Sequence, residues 1–164
     1  MNQESLLKDK LILIVDDELD IIDTIEESLE MCKLHKADNY DLALQYLLSY
    51  SYDVVILDIM GVNGFDLLRK SVERGFPTVM LTAHALSPES LKKSIKMGAV
   101  SFLPKDNISE LKDYLEDIIE HKGDSRWLKL FEKLGDYFNL RFGADWKEKD
   151  TFFKELEVEL GANE

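Results

Sequence analysis

Asp58 ends an apolar run, Val54-Val55-Ile56-Leu57, and a carboxylate in that position must emerge at the end of a strand buried on both faces. Three similar runs also end in polar residues: Leu11 to Val15 in Asp16-Asp17, Thr78 to Leu81 in Thr82, and Ser101 to Leu103 in Pro104-Lys105. Brought together, these ends place three carboxylates, an ammonium and a hydroxyl in one site. Crowded carboxylates repel one another and raise their pKa values unless a cation intervenes. A hard, oxygen-preferring divalent ion such as Mg²⁺ or Mn²⁺ resolves that conflict. Lys105 supplies a second positive charge and Thr82 a hydroxyl donor. The set suits an incoming phosphoryl group, whose equatorial oxygens need cations and donors while a carboxylate attacks in line.

Periodicity supplies the elements that must position these groups. Leu11 to Val15, Lys33 to Ala37, Val54 to Asp58, the run from Pro77, and Ser101 to Leu103 read as strands. Between them, Ile21, Ile22, Ile25 and Leu29 mark an amphipathic helix over Leu19 to Met31. Asp38 and Asn39 are N-cap residues for a second helix; a third runs from Phe65 to Gly75. Ser87 and Pro88 open a fourth that Gly98 stops, and Ile108, Leu111, Leu115, Ile118 and Ile119 mark a fifth. Five strand-helix units in strict alternation predict an α/β fold, a doubly wound parallel sheet with helices on both faces. Ligands of such sheets sit outside the carboxyl ends of the strands, where the strand order reverses. All the polar residues singled out above fall there.

Composition narrows the partners. A chain of 164 residues can bury a real core. A formal net charge of -13 argues against nucleic acid as a partner, since phosphate binding rests on Lys and Arg. Cys32 is the single cysteine, so no internal disulfide forms, and the expected location is the cytoplasm. No apolar run approaches the roughly 18 residues of a membrane span, and no secretory signal is expected. His35, His84 and His121 share no ligand spacing with Cys32, which argues against zinc.

From about Lys10 to Lys122 the chain resembles the receiver domains of two-component response regulators, with four separated motifs in order. The resemblance implies a flavodoxin-like sheet of order 2-1-3-4-5. It implies Asp58 as phosphoacceptor, Asp17 as a direct metal ligand, Asp16 as a ligand directly or through water, and the Met60 carbonyl as a further ligand. Lys105 would bind the phosphoryl group, Thr82 would be the switch hydroxyl, and Phe102 matches the aromatic switch position. Such proteins take phosphate from a histidine kinase or phosphotransfer protein and signal through a phosphorylation-dependent protein surface. They are signalling phosphoacceptors that assist their own phosphorylation and dephosphorylation, rather than enzymes with a separate substrate. The chain departs from the pattern after Asp58: Met60-Gly61-Val62-Asn63-Gly64 is shorter than the usual loop and lacks its proline. His84, two residues after Thr82, borders the expected site and is a candidate influence on phosphate lifetime.

Each of these residues also has an ordinary structural explanation, such as Asp16-Asp17-Glu18 capping a helix. Two other function classes compete. A phosphatase or phosphotransferase of the haloacid dehalogenase type needs a general acid two residues after its aspartate, and Met60 cannot serve. A phosphorylation-independent receiver-like scaffold or dimerisation module is supported only by the shortened loop. Lys92, Lys93 and Lys96 on the fourth helix could meet an acidic downstream partner.

The pattern changes after Gly123, which divides the chain into a receiver at 1–122 and a helical extension at 123–164. Trp127, Phe131, Leu134 and Phe138 share one helical face. Asp145 with Glu148 resembles a capping box before Trp146, Phe153, Leu156 and Leu160. The two aromatic faces must pack on each other, on the receiver, or on a second copy as a homodimer.

Overall fold

The structure is a computed structural model that describes residues 5–83 and 87–162. Among them the chain alternates β1 (Leu11–Val15), α1 (Leu19–Ser28), β2 (Lys33–Ala37), α2 (Tyr40–Ser49), β3 (Val54–Asp58), α3 (Gly64–Glu73), β4 (Thr78–Thr82), α4 (Pro88–Lys96) and β5 (Ser101–Pro104). A 3₁₀ turn at Lys105–Glu110, α5 (Leu111–Glu120), α6 (Trp127–Phe142) and α7 (Thr151–Ala162) complete it. All four strand pairings are parallel and the order is β2-β1-β3-β4-β5. This is the doubly wound flavodoxin-like sheet that the alternation and the resemblance led us to expect.

The strand chemistry explains the order. In β3 and β4 every residue is buried, as continuous branched-aliphatic strands covered by helices on both faces must be. β2, with exposed Lys33 and Lys36, lies at an edge, where lysines discourage further pairing. The strand order reverses between β1 and β3, and both strands deliver an aspartate to the crevice between their carboxyl ends.

Helix starts follow their caps. The Asn39 side chain accepts the Leu42 N–H at 2.9 Å, and Ser87 accepts the Ser90 N–H at 3.1 Å ahead of Pro88. Three expectations need correction. α1 ends at Ser28 rather than Met31, because Leu29 leaves helical geometry and is buried. The 3₁₀ turn precedes the fifth helix and places Lys105 at its start. Asp145 and Glu148 form a turn; the carboxylate next to α7 that accepts a backbone N–H is Asp150, bonded to Phe152 at 2.9 Å.

The aromatic faces of α6 and α7 are buried within the chain. Trp127, Phe131, Phe138, Trp146 and Phe153 join the core that runs continuously from the sheet. Trp146 stacks edge-on against Phe153 at 4.9 Å and Phe138 at 5.6 Å, a favoured aromatic geometry. Leu140 and Val158, 86% and 74% exposed, are the large apolar residues left outside among the described residues of these helices. A homodimer through them would rest on those two rather than on the aromatic faces.

Candidate functional site

Asp16, Asp17, Asp58, Thr82 and Lys105 all lie at the carboxyl edge of the sheet, each at or just past the end of its strand. Asp16 is fully buried, Asp58 is 4% exposed and Lys105 9%. The Lys105 ammonium sits among three carboxylates, at 2.9 Å from Asp16 Oδ2, 3.1 Å from Glu18 Oε1 and 3.4 Å from Asp58 Oδ1. Its approach to Asp16 is a charge contact rather than an aligned hydrogen bond, since Asp16 Oδ2 makes none among the described residues. Asp16 Oδ1 accepts the Glu18 N–H at 2.9 Å, which fixes the carboxylate and turns the chain into α1.

The electrostatics follow from one cation shared among several anions. Burial first and the charge of Asp16 second push Asp58 up to about 7, against the pull of Lys105. Burial also raises Asp16, although Lys105 and the Glu18 N–H oppose it. Burial pulls Lys105 down, but contact with Asp16 and the charges of Asp16 and Asp58 outweigh it, so the ammonium is held firmly protonated. The site is short of positive charge.

The residues fit a hard divalent cation. Asp16, Asp17 and Glu18 offer carboxylate oxygens within 4.8 Å of one another, and the donor set is oxygen throughout. Asp17 is exposed on the open side of a cleft of about 260 Å³ lined by Asp17, Glu18, Asp58, Met60, Gly61, Ala83 and Lys105. The short loop after β3 closes directly onto this cleft. Gly61, at φ +85°, packs so near Asp17 that a Cβ there would fall 2.5 Å from Asp17 Oδ2. At Gly64 a Cβ would fall 2.0 Å from the main-chain oxygen of Asp58, so only glycine lets α3 start this close to the end of β3. The loop therefore lies beside the carboxylates.

Thr82 is buried, and its hydroxyl makes no hydrogen bond among the described residues. A buried hydroxyl without a partner is costly and marks a place where one is wanted. Phe102 is fully buried. The register pairs Met80 with Phe102 and Thr82 with Pro104, so Thr82 and Phe102 lie on the same face of the sheet. His84 lies outside the described residues. Glu18 was missed as a site residue; its position directly after Asp17 is the one sequence signal that could have found it.

Residues 12–116 match the response regulator receiver domain family, and the chain belongs to that family. Among curated relatives it is 32% identical over 116 residues to the two-component response regulator ARR18 of Arabidopsis thaliana, covering 66% of this chain and 18% of that one. It is 35% identical over 100 residues to the transcriptional regulatory protein CutR of Streptomyces coelicolor, covering 57% and 46%. The chain thus spans less than half the length of either relative. Among solved structures, a CheY-like receiver domain protein from Methanospirillum hungatei JF-1 aligns with a TM-score of 0.64 at 24% identity, over 70% of this chain and 97% of that one. The family match stops before α6 and α7. Among the described residues no helix is long and apolar enough to cross a membrane.

Proposed function

We propose that the chain is a cytoplasmic two-component receiver that accepts a phosphoryl group on Asp58 from a histidine kinase or phosphotransfer protein. Residues 1–122 act as the receiver and 123–164 as its helical extension. One observation carries the reading: Asp58, Asp16 and Glu18 converge on a single ammonium, Lys105, at the switch point of the sheet. A Mg²⁺ or Mn²⁺ ion held by Asp16, Asp17, Asp58 and the Met60 carbonyl would neutralise charge on the phosphoryl oxygens.

Asp58 is the nucleophile. A carboxylate oxygen forms the new O–P bond as the P–N bond to the donor histidine breaks; the departing imidazole keeps the electron pair and the acyl phosphate remains on Asp58. Lys105, already 3.4 Å from Asp58 Oδ1, is in place to receive the added negative charge. The Thr82 hydroxyl, which has no partner among the described residues, could donate to a phosphoryl oxygen. That donation, with Phe102 on the same sheet face, would convert chemistry at Asp58 into a change of surface for a downstream protein.

Incubation of the full chain with Mg²⁺ and acetyl phosphate, followed by intact mass, tests the reading. The expected result is one phosphoryl mass increment in the wild type and none in Asp58→Ala. An equal increment in both proteins, or none in either, would overturn it.

A further inference from the structure

Glu18 stands at the N-cap of α1. A carboxylate there ordinarily turns back to accept N–H groups of its own first turn, where the helix end also favours negative charge. Among the described residues the Glu18 side chain makes no such bond. It reaches across the cleft instead and accepts a hydrogen bond from the Lys105 ammonium at 3.1 Å, although the two residues lie 87 apart in sequence.

The three carboxylates around Lys105 differ in how readily they can leave it. Asp16 is fully buried, and its other oxygen is pinned by the Glu18 N–H at 2.9 Å. Asp58 is the proposed acceptor, so a transferred phosphoryl group stays attached to it. Glu18 has a fixed main chain and a loose side chain. Its N–H is held by Asp16, and its carbonyl accepts the Ile21 and Ile22 N–H groups at 3.1 and 3.3 Å. Its side chain is 57% exposed and lines the mouth of the cleft. An ammonium has three N–H donors, and here three carboxylates stand around it. A phosphoryl oxygen that comes to Lys105 must displace one of them. Glu18 is the one with somewhere to go, either into water or back onto the first turn of α1, where an N-cap carboxylate belongs.

We propose that Glu18 is an exchangeable counter-ion of Lys105, a positioning residue that holds the ammonium until a phosphoryl oxygen displaces it and thereby limits how fast Asp58 is phosphorylated. This rests on the proposed function of Asp58. The pair keeps Lys105 at the cleft, and breaking it is part of each phosphorylation.

The test uses the full chain with saturating Mg²⁺, following phosphorylation by acetyl phosphate through intact mass and Mg²⁺ affinity through titration calorimetry. Glu18→Gln, which removes the charge, is expected to be phosphorylated about fivefold faster than wild type, the factor that corresponds to the upper end of an exposed ion pair's strength. Glu18→Asp keeps the charge, but it is one methylene shorter and suits the N-cap, so it is expected to be faster as well, with the Mg²⁺ affinity of wild type. In the Lys105→Ala background the partner is gone, and adding Glu18→Gln is expected to change the rate by less than about twofold. An unchanged rate in Glu18→Gln would overturn the proposal. So would acceleration that is absent from Glu18→Asp or undiminished in Lys105→Ala, because the charge would then act at a distance and not through Lys105. Weaker Mg²⁺ binding by Glu18→Asp would make Glu18 a metal ligand and overturn it too. These results leave the acceptor reading standing, whereas failure of the wild type to gain phosphoryl mass would remove that reading and the counter-ion role with it.

Discussion

Asp58 and Asp117 are both largely buried aspartates that face basic residues, and their surroundings push them in opposite directions. Asp117 meets Arg126, Lys129 and His121, and although burial raises its pKa, the Arg126 and Lys129 contacts outweigh that and hold it below the usual carboxylate value. Asp58 shares one ammonium with Asp16 and Glu18, and burial with the Asp16 charge pushes it up to about 7. A carboxylate surrounded by more cations than it needs is a structural fastening. Carboxylates that outnumber their cation form a site that gains when a cation arrives. Asp117, Glu120 and His121 also bring ligand atoms within 4.8 Å, but Arg126 and Lys129 already satisfy that charge. The ratio of anions to fixed cations separates the two clusters where mere clustering does not.

Removing the shared cation should have the largest effect. Lys105→Ala is expected to slow phosphorylation by acetyl phosphate about 100-fold, the usual consequence of deleting one preorganised electrostatic contact. A stopped-flow rate within about twofold of wild type would mean that Lys105 only neutralises Asp16.

The two aspartates should respond to pH with opposite signs. In metal-free protein the raised pKa of Asp58 contributes stability that is fully present below about pH 4 and is lost as pH rises through about 7. Asp58→Asn is therefore expected to stabilise by about 2 kcal/mol at pH 8 and hardly at all at pH 4, with the gain shrinking once Mg²⁺ is added. The lowered pKa of Asp117 contributes stability present above the unfolded value and lost as pH falls through the lower folded one. Asp117→Asn is expected to cost about 1 kcal/mol at pH 7. Urea unfolding of both variants at the two pH values would break the comparison if the signs agreed.

The smallest effect concerns the short loop. Gly61→Ala is expected to cost about 1 kcal/mol for its positive φ and, by displacing the Asp17 carboxylate, to weaken Mg²⁺ binding. Titration calorimetry showing unchanged Mg²⁺ affinity would place the ion away from Asp17.

Much of the carboxylate cluster at the sheet's edge was legible in the sequence because its signals are local. An apolar run that stops at Asp58 states both the strand and the end where the carboxylate emerges, and Asn39 and Ser87 announce their helices by short-range hydrogen bonds. The pairing of Lys105 with Glu18 joins residues 87 apart in sequence, and no local pattern encodes it. The same holds for the extension. Its aromatic spacing showed that two helical faces needed cover, but contacts with the sheet and α4, such as Trp127 with Ala99 and Asp150 with Lys92, join residues 28 and 58 apart in sequence. Asp145 and Glu148 satisfied a capping pattern by spacing, while Asp150, nearer the helix, took the bond.

If Asp58 carries the phosphoryl group, chemical trapping locates it there. Phosphorylated wild-type chain is treated with borohydride, which reduces an aspartyl phosphate to homoserine, and the modified position is read by peptide mass spectrometry. Homoserine is expected at position 58 and at no other aspartate. Reduction at Asp16 or Asp17, or a phosphoryl increment that borohydride leaves untouched, would contradict it.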